Sequence, residues 1–329
     1  MQVGVIGPIE PDSFAENIGD SLTRMGHGVV LLGAARAQYR NHLLTRGAIL
    51  TRQAIPYLEE RAQRRIVRQA LETNCETVIN VDGHLMPDAV TRLKRNGVRL
   101  AFWFPDSVAN LGRQLMLLAP YDAVFFKEPQ LANRLRAMLD MPVYYLPEAC
   151  NPRWHRPVAR PATDGCLVLA GQMYPSRVRL LERLILEGIP LRLYGPKFPR
   201  WTGETQARTI HTGKYLAREN KAKTFRSAVG VLNTLHPSEL NGVNVRLFEA
   251  AGSGAAVLTE FRPALPDLFN IGEEVLAYRD FDELVSNAKR LFAEDGLAAR
   301  LGDAAARRAH RDHTYELRLD SILEQTTRT

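Results

Sequence analysis

Asn241–Glu260 reads NGVNVRLFEAAGSGAAVLTE and gathers, in one short stretch, groups that could hold an anion or a polyol. Val245, Phe248 and Glu249 fall on the opening turns of a helix. Helix starts expose free amides and a partial positive charge, so this one, with Asn241, Gly242 and Asn244, could meet a diphosphate or sugar hydroxyls. Glu249, one turn in, could accept hydrogen bonds from a ribose diol. The same residues equally fit an ordinary helix–turn–strand unit with Glu249 exposed. Three loops upstream also end apolar runs. Gly171–Arg177 (GQMYPSR) is one. Tyr194-Gly195-Pro196 is either a shelf for a nucleobase or a plain turn, and His211–Leu216 (HTGKYL) offers His211 and Lys214 to a base or phosphate, or is solvated. In the first half, Asp82-Gly83-His84 and Asp106 each follow a strand pattern. A carboxylate or imidazole there could deprotonate a hydroxyl; a turn aspartate, a solvated histidine and a helix cap are the plainer readings.

Such residues need a scaffold that brings strand ends together. Val3–Ile6 is an apolar run closed by Gly7-Pro8, the pattern of a buried parallel strand. Phe14, Ile18, Leu22 and Met25 recur at helical spacing, and Gly26 separates them from a second strand, Val29–Leu32. This helix–glycine–strand unit belongs to doubly wound folds. Thr77–Val81, Leu100–Phe104, Ala123–Phe126 and Val143–Leu146 continue the strands, with helices around Tyr57–Leu71, Pro87–Asn96 and Pro129–Leu139. Phe102, Trp103 and Phe104 read as core rather than as rings that stack on a sugar. After Glu148–Gly165, with its three prolines, the alternation restarts: strands at Cys166–Ala170, Leu191–Tyr194, Ala228–Leu232 and Ala255–Leu258, then helices at Phe281–Phe292, Leu297–His310 and Tyr315–Leu323. The fold class is α/β, with two Rossmann-like doubly wound domains facing across a cleft. Residues 1–150 form the first domain, 151–164 a semi-rigid proline-rich linker, 165–312 the second domain and 313–329 a closing helix.

The 329 residues are 45% hydrophobic and 24% charged, which excludes a disordered or fibrous chain. No apolar run reaches membrane-span length, no secretory signal opens the chain, and three scattered cysteines form no C-x-x-C pair, so a cytoplasmic protein is expected. The net charge of +7 favours polyanionic partners without choosing one. Arg61, Arg64, Arg65 and Arg68 suit anionic lipid or an acidic acceptor, or form a solvated face. There is no G-x-G-x-x-G after the first strand and no H-E-x-x-H, and Arg208 stands where a phosphate loop ending in Gly213-Lys214 would need glycine. Asp280-Phe281-Asp282 could be read as a metal-holding D-x-D, but Asp280 with Glu283 makes a helix capping box.

FEAAGSGAAVLTE resembles the donor-binding signature of GT-B glycosyltransferases, E-A-hydrophobic-A-x-G-x-P-V. Phe102–Asn110 (FWFPDSVAN), Tyr121–Pro129 (YDAVFFKEP), Tyr145–Pro152 (YLPEACNP), Asn244–Gly254 and His313-Thr314-Tyr315 with Arg318 are together similar to one branch, the CgeB-like glycosyltransferases named after a spore-maturation protein. The resemblance covers nearly the whole chain and is weakest over Leu32–Thr73.

It implies a GT-B fold whose second domain holds a nucleoside-diphosphate sugar (UDP, GDP or dTDP) and whose first binds an unidentified acceptor. Glu249 takes the place of the ribose-binding glutamate. Arg177 matches the cation that neutralises the diphosphate, and the segment from His313 onward packs back on the first domain. No cofactor or metal is implied. Two departures stand out: Asn241 replaces a second glutamate of many retaining relatives, and Ala255-Ala256-Val257 lacks the signature proline. On this reading Glu249→Ala weakens donor binding with little loss of fold. The rivals are a GT-B-fold nucleotide-sugar epimerase and a non-catalytic nucleotide-sugar or nucleic-acid binder, nucleic acid being the less favoured partner.

Overall fold

The computed structural model describes residues 1–35, 47–48, 51, 55–111, 113–159 and 163–328. The chain divides into two compact units, Met1–Pro147 with Tyr315–Thr329, and Glu148–Thr314. In the first, β1 (Gln2–Ile6), β2 (Gly28–Gly33), β3 (Thr77–Asn80), β4 (Arg99–Phe104), β5 (Ala123–Phe126) and β6 (Val143–Tyr145) form one sheet in the order β2-β1-β3-β4-β5-β6. Every pairing is parallel. Parallel strands are covered on both faces, so β3 and β5 are wholly buried and read as apolar runs with little alternation. Trp103 is fully buried and meets Phe14 edge-on, ring centroids 4.5 Å apart. Tyr315 closes the cluster at 5.6 Å from Phe14 and 5.9 Å from Trp103. The Tyr315–Arg328 helix is held there also by an ion pair of Arg24 with Glu316 and by Arg318 Nε donating to the Pro147 carbonyl at 3.1 Å.

In the second unit, β7 (Leu167–Ala170), β8 (Leu191–Tyr194), β9 (Gly230–Asn233), β10 (Val257–Glu260) and β11 (Leu276–Tyr278) form a second parallel sheet in the order β11-β10-β9-β7-β8. Strand order reverses at β1/β3 in one sheet and at β7/β9 in the other. At such points the outgoing loops diverge and leave a crevice at the carboxyl ends of the strands.

The proline-rich stretch is not an open tether at its start. Asn151 and His155 are fully buried and Trp154 nearly so. A tight turn holds them, with His155 N donating to Asn151 O at 2.7 Å and Asn151 N to His155 Nδ1 at 3.1 Å. Prolines bar a helix or strand here, but the aromatic side chains between them still find a core. Residues 160–162 of this stretch lie outside the described residues.

Asp280 is a cap. Its Oδ1 accepts from Glu283 N at 2.8 Å, and Glu283 Oε2 accepts from Arg279 N at 2.7 Å. Asp280→Ala should cost about 1 kcal/mol of stability, the usual cost of a lost N-cap, measured by denaturant titration.

Candidate functional site

The crevice at β7/β9 collects most of the second-unit candidates. Gly171 follows β7 with φ of +145°, a backbone that side-chain-bearing residues rarely adopt. A Cβ on Gly171 would run into the Arg246 guanidinium and would lie 3.1 Å from Arg177 Nη1. Gly171 N donates to Tyr194 O at 2.9 Å, Gly195 packs its bare Cα on the Gly171 carbonyl, and Gly195 N donates to Lys214 O at 2.9 Å. Gly171, Tyr194, Gly195 and Lys214 therefore form one loop cluster. His211 joins it through a bridge to Leu193 and packs edge-on against Phe198 at 5.5 Å. Its Nδ1 accepts from Gly213 N at 3.1 Å, which puts the proton on Nε2. Nε2 is buried with no hydrogen-bond partner among the described residues, and burial lowers the ring's pKa.

Asn244 caps the Val245–Gly252 helix at the other side of this crevice. Its Nδ2 reaches Thr234 O at 3.5 Å, while its Oδ1 is buried without a partner among the described residues. Gly242 is buried just before it, and Asn241 O accepts from Ala264 N at 3.0 Å.

Arg177, which the resemblance matches to the diphosphate cation, is largely committed within the protein. It is 4% exposed and commits four of its five N–H groups internally. Nε donates to Thr234 Oγ1 at 2.6 Å, Nη1 to Gln172 O at 2.5 Å, and Nη2 to Tyr174 Oη at 2.7 Å and Thr234 O at 2.8 Å. Burial first, and the neighbouring Arg246 charge second, bring its pKa down to about 10, so it stays charged at neutral pH. Arg177 thus ties the loop after β7 to the loop after β9 and adds a fixed charge behind them.

The half-buried Arg246 is the cation that sequence reasoning missed. It is the second residue of its helix, and its Nη1 lies 3.5 Å from Asn233 Oδ1. Its sequence signal is electrostatic. A cation in the first turn opposes the helix dipole and is relieved by an anion there.

Glu249 is not a free surface carboxylate either. It is 6% exposed, and its Oε1 accepts from Lys221 Nζ at 2.7 Å with His155 Nε2 4.0 Å away. Lys221, also buried, comes from the Arg218–Ser227 helix, and nothing local in the sequence signals the pairing. Oε2 makes no bond among the described residues.

In the first unit, Asp82 and His84 follow β3 at the β1/β3 reversal. Asp82 is buried; its Oδ2 accepts from Ala35 N at 2.8 Å and its Oδ1 from His84 N at 3.0 Å and the ring Nδ1 at 2.9 Å. A carboxylate only accepts, so Nδ1 carries a proton, and in the neutral tautomer the lone pair lies on Nε2. The His84 side chain is 33% exposed. Asp106 follows the neighbouring strand, β4, and makes no bond to this pair among the described residues. It is exposed, and its Oδ1 closes its own turn through Ser107 N at 2.7 Å and Asn110 Nδ2 at 3.0 Å.

Burial pushes the Asp82 carboxyl up, but the His84 bonds and charge and the Ala35 amide more than offset this, leaving it below the usual range. A depressed carboxylate contributes stability above its unfolded value of about 3.9 and loses it as pH falls through the folded value. Acid unfolding of the protein should therefore soften in Asp82→Asn, measured as a flatter melting temperature below pH about 4.

Residues 177–324 match the family model described as glycosyl transferase-like. No curated protein matches the chain in sequence. Its fold recurs in sucrose-phosphate synthase from Thermosynechococcus elongatus (12% identity, 99% of each chain, TM-score 0.69). It recurs in HepE of Anabaena in complex with UDP (11% identity, 100% of each chain, TM-score 0.67). AviGT4, a glycosyltransferase of avilamycin A biosynthesis, is similar at 16% identity over 99% of this chain and 97% of that one, with TM-score 0.64. The two parallel-sheet α/β domains are those of the GT-B fold.

Proposed function

We propose that the chain is a glycosyltransferase of the CgeB-like kind, moving a sugar from a nucleoside-diphosphate donor held by the second unit to an acceptor hydroxyl engaged by the first. The observation that carries this reading is the β7/β9 crevice: bare Gly171 backbone, the Arg246 guanidinium, an Asn244 Oδ1 without a partner among the described residues and a helix start, all at one strand-order reversal. Support comes from the glycosyl transferase-like match over residues 177–324 and from UDP in the HepE structure. Arg246 faces the diphosphate, and Arg177 positions the two loops around it. Tyr194, Gly195, His211 and Lys214 take the nucleobase end, while Glu249 takes the ribose diol through Oε2 and keeps Oε1 on Lys221.

Charge accumulates on the diphosphate as the sugar leaves, so a fixed cation there acts most strongly in the transition state. The protein supplies that charge, and turnover should survive chelation of divalent metals. His84 Nε2 takes the acceptor proton while Asp82 holds the ring. The three cysteines are buried and form no disulfide among the described residues, in keeping with a reducing, cytoplasmic setting.

A thermal-shift panel of UDP-, GDP- and dTDP-sugars tests the donor site; at 100-fold above Kd a ligand adds about 2.7 kcal/mol. Arg246→Ala should lower kcat by about 10²–10³-fold, the scale of a lost transition-state charge partner. A raised KM with kcat intact would assign Arg246 to ground-state binding only.

A further inference from the structure

Tyr57, Arg61, Arg64, Arg65 and Arg68 recur at spacings of three and four on the Pro56–Glu72 helix and so share one face. All five are exposed, and Ile55, just before the helix, is 48% exposed. Gln63, Ile66, Val67 and Ala70 on the opposite face are buried. Among the described residues none of the four arginines is in an ion pair, whereas Arg24, Arg192, Arg279, Arg290 and Arg300 all are. The four line a shallow groove of about 610 Å³, with Arg92 bound to Asp88 at its rim and Glu72 as its one acidic residue.

Unpaired guanidiniums stacked on two turns repel one another, and an anionic surface relieves that repulsion. We propose that this stripe docks the protein on an anionic lipid surface, with Tyr57 and Ile55 entering the headgroup layer. The charge alone would suit any polyanion. The two exposed apolar side chains at the head of the stripe decide for lipid, because an aromatic ring with a polar tip rests at headgroup depth. Arg64 lies 5.7 Å from the Tyr57 ring centroid, so cation and ring present together. The same helix supports the candidate base, since Gln63 Nε2 donates to His84 O at 3.0 Å and Gln63 Oε1 accepts from Met86 N at 2.8 Å. The proposal stands whether or not the protein transfers sugar.

Co-sedimentation of the full chain with phosphatidylcholine vesicles, with and without phosphatidylglycerol, tests it. Binding should require phosphatidylglycerol and weaken steeply with salt. R61Q/R64Q/R65Q/R68Q should lose about tenfold or more, at roughly one favourable charge contact per arginine. R61K/R64K/R65K/R68K should retain binding, as should R279Q/R290Q/R300Q/R311Q, which removes equal charge elsewhere. Tyr57→Ala should weaken binding to vesicles but not to heparin. Three results would overturn the proposal: no dependence on phosphatidylglycerol, equal loss in the two glutamine variants, or a Tyr57→Ala variant that binds vesicles as the wild type does.

Discussion

His84→Gln should lower turnover by about 10²–10⁴-fold and leave donor affinity unchanged, the range ascribed to a positioned general base. Glutamine keeps bulk and a polar tip but has no basic lone pair to take a proton. The His84–Asp82 bond makes the loss specific, since Asp82 fixes Nδ1 as the donor and so leaves Nε2 as the basic atom. Asp82→Asn should follow in the same direction, because an amide can turn the ring to the wrong tautomer. Steady-state kinetics in both variants check this. A raised KM with unchanged kcat would make the pair an acceptor contact and remove the base.

Glu249→Ala should destabilise the protein by about 3–5 kcal/mol, as breaking a buried ion pair from one side does, and should abolish donor binding as well. This replaces the expectation of a well-folded variant. Lys221 is buried beside Glu249, and the truncation deletes the carboxylate that offsets its charge. The fold and binding effects separate in a second variant, Lys221→Met with Glu249→Leu. Apolar replacement of both partners should recover much of the melting temperature without recovering donor affinity. If that double variant binds donor as the wild type does, Glu249 is structural alone.

The parallel strands were legible because each is a short apolar run closed by a turn residue; β1 before Gly7 and β8 before Gly195 are the clearest. β10 begins two residues later than its apolar run, at Val257. Ala255 and Ala256 are buried in a close approach instead, where Gly302 packs its bare Cα against the Gly254 carbonyl. The small residues after Glu249 are thus spent on helix packing. β11 carried no signal, being three residues, Leu276-Ala277-Tyr278, too few to show a period. At the site, the positions were legible and the partners were not. The resemblance points to Arg177 and passes over Arg246, the second residue of the Val245–Gly252 helix. Only the bonds of Arg177 to Gln172 and Thr234 show which one is spent inside. Lys221 lies 28 residues from Glu249, beyond any local pattern.

The most direct test is release of nucleoside diphosphate from a radiolabelled sugar donor by the full chain, with and without a pool of hydroxyl-bearing acceptors. Transfer predicts that label moves into the acceptor in step with nucleoside diphosphate release, that both depend on acceptor, and that Arg246→Ala and His84→Gln lose both. Donor converted to an isomeric nucleotide sugar without acceptor and without release would contradict the account, as would donor that binds and is never turned over.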